Sequence, residues 1–357
     1  MSICVAVVVV AGLVFSGPAA AWGPKTQLAI VTNAVHLLSK ASNIPLDRLA
    51  RHLRNGAMVS MTGLEALYPG IEESPVGAIE SEMYLLETVQ TGRVDPYLAF
   101  RLGTLGKLVA EAASPMRDTD AAYRNLYFAD VERHIGQVQL ETNPRQFVDP
   151  DTYFQRCIMV ANTHNEMLVK EYRSGVGFEG VAGATLDEKV SSAVNAVADV
   201  WHTLLTGPAV MGNVSEEQLQ NYVVNAYEFY INRGNPDELA AVGERLSDLV
   251  ELTPGMRVRI GDMFQEAGLD ERAIEEYRAV LAMEPGRRDV VEKIADYHVR
   301  RGRAALEDER LETALEAFEM ALDANPLHPA AEALRNVGGP EAVRALAEEH
   351  YGPIPAN

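Results

Sequence analysis

Four places in the 357-residue chain carry side-chain types at spacings that could do chemistry. Asp130 and His134 are four residues apart, Asp199 and His202 three apart, and His164 stands two before Glu166. A carboxylate and an imidazole one helical turn apart share a helix face and can share one metal ion. The fourth place holds Lys107, Glu111 and Arg117, with Pro115 two before the last. Lys and Arg stay protonated near neutrality and cannot bind a metal, so this trio offers ion pairing rather than ligation. His36 lies inside an apolar helical pattern and reads as a core histidine, not a ligand. The chain has no nucleophile elbow, phosphate loop or dinucleotide fingerprint.

Helices must position all of these groups. Leu28, Val31, Val35 and Leu38 form one apolar stripe behind Pro24, and Leu98, Leu102, Leu105, Val109 and Ala112 form another over 97–112. Further helices fit 79–91, 119–140, 152–172 and 186–206, with a loop over Gly175 to Ala184 and no convincing alternating strand. The expectation is an all-α protein.

Two ends of this helical body are marked. Residues 1–21 have no charged side chain, an apolar run from Val5 to Phe15, and small residues at Ala19 and Ala21. That predicts a signal peptide cleaved before Trp22, hence export to a bacterial periplasm or the extracellular side, with no membrane span left after cleavage. Of the two cysteines, Cys4 falls in this segment, so the mature chain keeps Cys157 alone and has no intrachain disulfide or four-cysteine zinc knuckle. Residues 207–213, with a Gly-Pro pair and Met-Gly-Asn, read as a linker between a 22–206 domain and a 214–350 domain. Acidic residues number 51 against 31 basic, a net charge of −20, and residues 211–357 alone carry −14. Such an excess argues against nucleic acid or an anionic membrane surface as the main ligand.

The second domain repeats. Gly261, Phe264, Gly268, Ala273, Tyr277, Leu281 and Pro285 recur as Ala295, His298, Gly302, Ala314, Phe318, Leu322 and Pro326. This resembles the tetratricopeptide repeat (TPR), whose small residues let two helices approach, whose aromatic fills the groove between them and whose proline ends the second helix. From Pro285 to Pro326 is 41 residues, about seven more than the usual period, or roughly two helical turns. A weaker copy runs through Ala226, Phe229, Gly234, Ala240, Leu249 and Pro254, and 331–346 reads as a polar capping helix. The repeat packing is assigned to Gly268, Ala273, Tyr277, Pro285, Gly302, Ala314, Phe318 and Pro326.

The first domain resembles the zinc-dependent phospholipase C and single-strand nuclease superfamily. Trp22-Gly23-Pro24-Lys25-Thr26 follows the cleavage site, where that all-helical family binds zinc through its N-terminal Trp. Lys107, Glu111 and Arg117 match the spacing of a family His, Asp and His. Gln27 stands where a His is frequent, Met61 where Asp would stand, and Arg124 and Phe128 at a later His and Glu. Among the expected ligands only Trp22 and Glu111 keep suitable chemistry. The resemblance therefore implies a phospholipase C-like pseudoenzyme with no cofactor, in which Lys107, Glu111 and Arg117 form a charged cluster at former ligand positions. Removing a metal strands buried carboxylates, and cations would compensate. The function expected is that of an exported protein with no catalytic residues, binding a protein or peptide in the TPR groove. The alternative is a zinc-dependent phosphodiester hydrolase with ligands relocated to the other His and acidic pairs.

Overall fold

The computed structural model describes residues 22–42, 46–68, 71, 75–90, 93–117, 119–207, 213–232 and 236–328. The expected signal peptide, most of the 207–213 linker, Gly234 and the 331–346 capping segment lie outside the described residues. Every regular element among the described residues is helical, so the all-α class holds. The chain divides into two compact units, Met1–Val214 and Ser215–Asn357.

In the first unit the centre is helix α5, Pro96–Ala112, following α1 (Pro24–Ser42), α2 (Ala50–Ala57), α3 (Met61–Leu67) and α4 (Pro75–Val89). Asp95 caps α5 by accepting from the Leu98 N–H at 2.8 Å, and Pro96 occupies the first turn. Fourteen of its 17 residues are buried, so α5 has no solvated side. The helix α2 crosses it at backbone contact. A Cβ on Gly103 would stand 2.1 Å from the Leu53 carbonyl oxygen, and one on Gly56 2.0 Å from that of Phe100. Against its other sides pack α1, α4 and α10 (Leu186–Thr206). The Trp201 indole donates to the Leu102 carbonyl at 2.9 Å. Between α4 and α5, Arg101 makes a bidentate pair with Glu82 at 2.6 and 2.9 Å and donates to the Tyr97 hydroxyl at 3.0 Å. Both charges are fully buried, so every partner counts.

The first stripe of α1 differs from expectation. Ile30, Val31, Ala34, Val35 and Leu38 are buried, while Leu28 is 39% exposed. His36 falls on the outer face, its side chain 63% exposed and 3.9 Å from Asp47, so it is not a core histidine. The helix α6 (Ala121–His134) is followed by a single 3-10 turn, Ile135–Gln137, and stops short of residue 140. Gly136 and the Asn143-Pro144 pair favour the extended chain that follows. The stretch 152–172 is two helices, α7 (Pro150–Ala161) and α8 (Asn165–Ser174), and the supposed loop 175–184 contains a 3-10 turn and the short α9 (Val181–Ala184).

The second unit contains helices paired in chain order: α11 (Glu216–Ile231) with α12 (Pro236–Leu249), α13 (Pro254–Glu266) with α14 (Asp270–Met283), and α15 (Arg288–Glu307) with α16 (Leu311–Ala324). Ser215 and Gln218 form a reciprocal capping box at the start of α11. Ala273 and Ala314 are buried, and Pro285 and Pro326 lie just beyond the ends of α14 and α16. The register between the last two pairs corrects the sequence alignment. Tyr277 fills the space over Gly261, where an added Cβ would lie 2.5 Å away; Phe318 does the same over Gly302 at 2.9 Å. Gly302 thus corresponds to Gly261, not to Gly268. Gly268 corresponds to Glu309, and both take the left-handed turn conformation, at φ 74° and 60°. The offset is 41 residues from Gly261 onward, so the extra turns precede Gly302 in the 20-residue α15.

Candidate functional site

The residues at the expected zinc positions are held by the junction of α1, α5 and α6. Trp22 is buried; its indole donates to the Ala110 carbonyl at 2.7 Å, and its ring meets Phe128 edge-on at 5.3 Å. Glu132 caps α1, accepting from the Lys25 and Thr26 N–H groups at 2.7 and 2.9 Å. A carboxylate there complements the positive end of the helix. Lys107 is buried, and its ammonium donates to the Val59 carbonyl at 2.6 Å. Desolvation pulls the Lys107 pKa below the ordinary lysine value, while the neighbouring Glu111 carboxylate acts in the opposite sense. Glu111 is half-buried. Arg117 is half-buried beyond the turn, and its carbonyl accepts from Arg124 at 3.1 Å. Gln27 is buried, and both polar ends of its amide lack a hydrogen-bond partner among the described residues.

These side chains do not fit a zinc centre. An ammonium engaged by a backbone carbonyl stands at one expected ligand position, an amide at a second and an aromatic ring at a third. Among the described residues no group of three His, Cys, Asp or Glu side chains could hold a metal ion. The other pairs separate into local roles. The His134 ring pairs with the Asp130 carbonyl and stacks on Phe178 at 3.9 Å, while the Asp130 carboxylate accepts from the Tyr172 hydroxyl. Glu166 is exposed, and His164 Nδ1 is buried without a partner among the described residues. His202 stacks on Phe147 at 5.2 Å, whereas Asp199 is buried in a different network.

That network joins α10 to the chain that follows α6. Residues 138–149 run as an extended strap along α10, and side chains spaced four apart on the helix accept its backbone N–H groups. Asp187 accepts from Gln139 at 3.0 Å, Ser191 from Glu141 at 2.9 Å and Asn195 from Asn143 at 3.1 Å. Asp199 accepts from Gln146 at 3.3 Å and Thr203 from Val148 at 2.9 Å. A strap that forms no sheet needs such partners for its N–H groups. Asp199 also pairs with Arg145 at 2.8 Å and accepts from the Tyr153 hydroxyl at 2.9 Å and the Gln146 amide at 3.1 Å. The sequence signal was the row 187, 191, 195, 199, 203, polar at every fourth position. Between strap, α7 and α10 lies a polar cleft of about 270 Å³. Cys157 lines it, and burial pushes its thiol up to about 11, so it is protonated and a poor nucleophile near neutrality.

In the second unit, α11 and α13 border a larger groove of about 550 Å³, lined by Glu228, Asn232, Arg259, Asp262, Met263 and Glu266. Arg259 reaches Glu228 at 3.4 Å, and Asp262 accepts from Lys293 at 2.7 Å and from the Tyr277 hydroxyl at 2.5 Å. Glu266 is exposed at the end of α13. Among the described residues, no helix is long and apolar enough to cross a membrane. No protein-family model, curated protein or solved structure matches the chain.

Proposed function

We propose that this is an exported, non-catalytic binding protein. Its N-terminal unit is a phospholipase C-like body whose metal site has been replaced by Lys107 and its neighbours, and its C-terminal helix pairs are TPR-like and hold a basic, extended segment of a partner protein. The observation that carries this reading is the α11–α13 groove. It combines room for a peptide with three carboxylates, Glu228, Asp262 and Glu266; Arg259 pairs with Glu228 and Lys293 with Asp262, so the acidic surplus is Glu266 together with the net −14 of residues 211–357. A groove of one prevailing sign selects partners of the other and speeds their encounter. The unfit of Lys107 and Arg117 for zinc, with Gln27 and Phe128 at two further expected positions, supports a body that supplies no chemistry of its own. The test is a calorimetric titration of the chain beginning at Trp22 with a ten-residue peptide of alternating Lys and Ala. Binding should weaken steeply as salt rises from 0.05 to 0.3 M, because exposed charges are screened over about a Debye length. Absence of binding at low salt, or binding indifferent to salt, would oppose the reading.

A further inference from the structure

The strap cleft of the first unit has no part in that function. We infer that it binds a small, neutral, polyhydroxylated molecule of about monosaccharide size. The volume, about 270 Å³, lies just under the roughly 300–1,000 Å³ of pockets that take drug-sized ligands, so the fitting molecule is smaller. The walls are Tyr153 and Cys157 from α7, Glu188 and Ser192 from α10, and Asn143 and Gln146 from the strap.

The charge arrangement decides the ligand class. The buried carboxylate of the cleft, Asp199, is already paired with Arg145 and accepts three further hydrogen bonds from Tyr153 and Gln146. It has no uncompensated charge to offer a ligand at the base. The rim carries exposed charges of both signs, Arg156 against Glu141 and Glu188, and Arg156 already donates to the Gln146 amide oxygen at 3.4 Å. A ligand of either sign would therefore meet repulsion as well as attraction at the rim and lose its water at a base with no counter-ion left to give. An apolar ligand would strip water from the Asn143 and Ser192 side chains and return no hydrogen bonds. Hydroxyl groups donate and accept at the same atom and so match amides and hydroxyls of either sense. The side chains of Asn143 and Ser192 are not rungs of the strap's ladder, which draws on the backbone N–H of Asn143 and on Ser191, so they can turn to a ligand. Covalent capture is not part of the inference, since the Cys157 thiol stays protonated.

Cys157 is the single cysteine of a chain beginning at Trp22 and lies in the cleft wall, so it reports occupancy directly. The experiment measures the rate of Cys157 alkylation by iodoacetamide at pH 9 with increasing glucose, N-acetylglucosamine, myo-inositol or glycerol. Glucosamine and glucose 6-phosphate serve as charged comparators, and saturation-transfer NMR reads binding on the ligand side. At least one neutral polyol should slow alkylation about fivefold or more at saturation, and more than either charged comparator does at equal concentration. Ser192→Trp should fill the cleft and weaken that binding at least about tenfold. Ser192→Ala, which adds no bulk, should weaken it about two- to fivefold and carries the test if the Trp variant does not fold. The inference is overturned if no neutral polyol protects Cys157, if a charged comparator protects better, or if affinity is unchanged in a folded Ser192 variant.

Discussion

Removing the Asp199 carboxylate should unseat the strap. The Asp199 side chain is 2% exposed and that of Arg145 7%, with 2.8 Å between the charged atoms. Taking away one member of a buried pair leaves the other's charge uncompensated, at about 3–5 kcal/mol. Arg145 would keep hydrogen bonds to the Asn195 and Asn143 carbonyls, at 3.1 and 2.7 Å, which draws the expectation for Asp199→Ala toward about 3 kcal/mol. Both tryptophans, Trp22 and Trp201, are buried in the first unit, so their fluorescence follows that unit's unfolding alone. With a urea slope of about 2 kcal/mol/M, the midpoint should fall by roughly 1.5 M. The double change Asp199→Leu with Arg145→Met should recover much of the loss, because apolar replacement of a whole buried pair is often neutral. Cys157 alkylation should quicken in the single variant as the strap loosens. A shift worth less than about 0.5 kcal/mol, the range of an ordinary surface substitution, would refute the reasoning. So would a double variant no better than the single.

Three further outcomes follow from packing and charge. Gly103→Ala forces a methyl to within 2.1 Å of the Leu53 carbonyl oxygen and should cost at least about 1–3 kcal/mol by the same fluorescence assay. Gly302→Ala presses on Phe318 and should raise amide exchange in α15 and α16, whereas Gly255→Ala, with open space around it, should not. His298 is buried, and burial first, then Arg278 and Arg301, hold its pKa below the ordinary imidazole value. As pH falls through about 6.5 the unfolded chain takes the proton first, so the second unit should lose stability below that pH and none above it. Exchange protection of α15 at pH 7.5 and 5 checks this, and His298→Leu should flatten the dependence.

Helices with a strong apolar stripe were legible in the sequence: 97–112 against α5, and 186–206 against α10. Their surroundings were less so, because a stripe tells which residues are buried but not how many sides a helix buries. The helix α5 is covered all round, and Thr104 and Lys107, which could have faced water, are inside. His36 went the other way, since a one-residue change in the stripe turns a helix face by about 100°. The strap was hidden because its N–H partners are side chains about 50 positions later; Gly136 and Asn143-Pro144 signalled extended chain but not what it would lie against. The repeat was visible as recurring Gly, Ala, aromatic and Pro. Its register was not, because Gly302 stands alone in its copy and could align with either Gly261 or Gly268, and the contacts of Tyr277 and Phe318 decide between them.

The central claim, that the acidic groove of the second unit selects a basic extended segment, is tested most directly by reversing its charge. Glu266 is exposed, and Glu228 makes a partly exposed pair with Arg259, so Glu228→Lys with Glu266→Lys should leave the fold intact by circular dichroism. Fluorescence anisotropy would compare a labelled Lys-Ala decamer with a labelled Glu-Ala decamer on both forms of the chain beginning at Trp22. The parent should prefer the basic peptide, and the charge-reversed protein should lose that preference by at least about tenfold. Equal affinity of parent and variant for the basic peptide, in a folded variant, would contradict it.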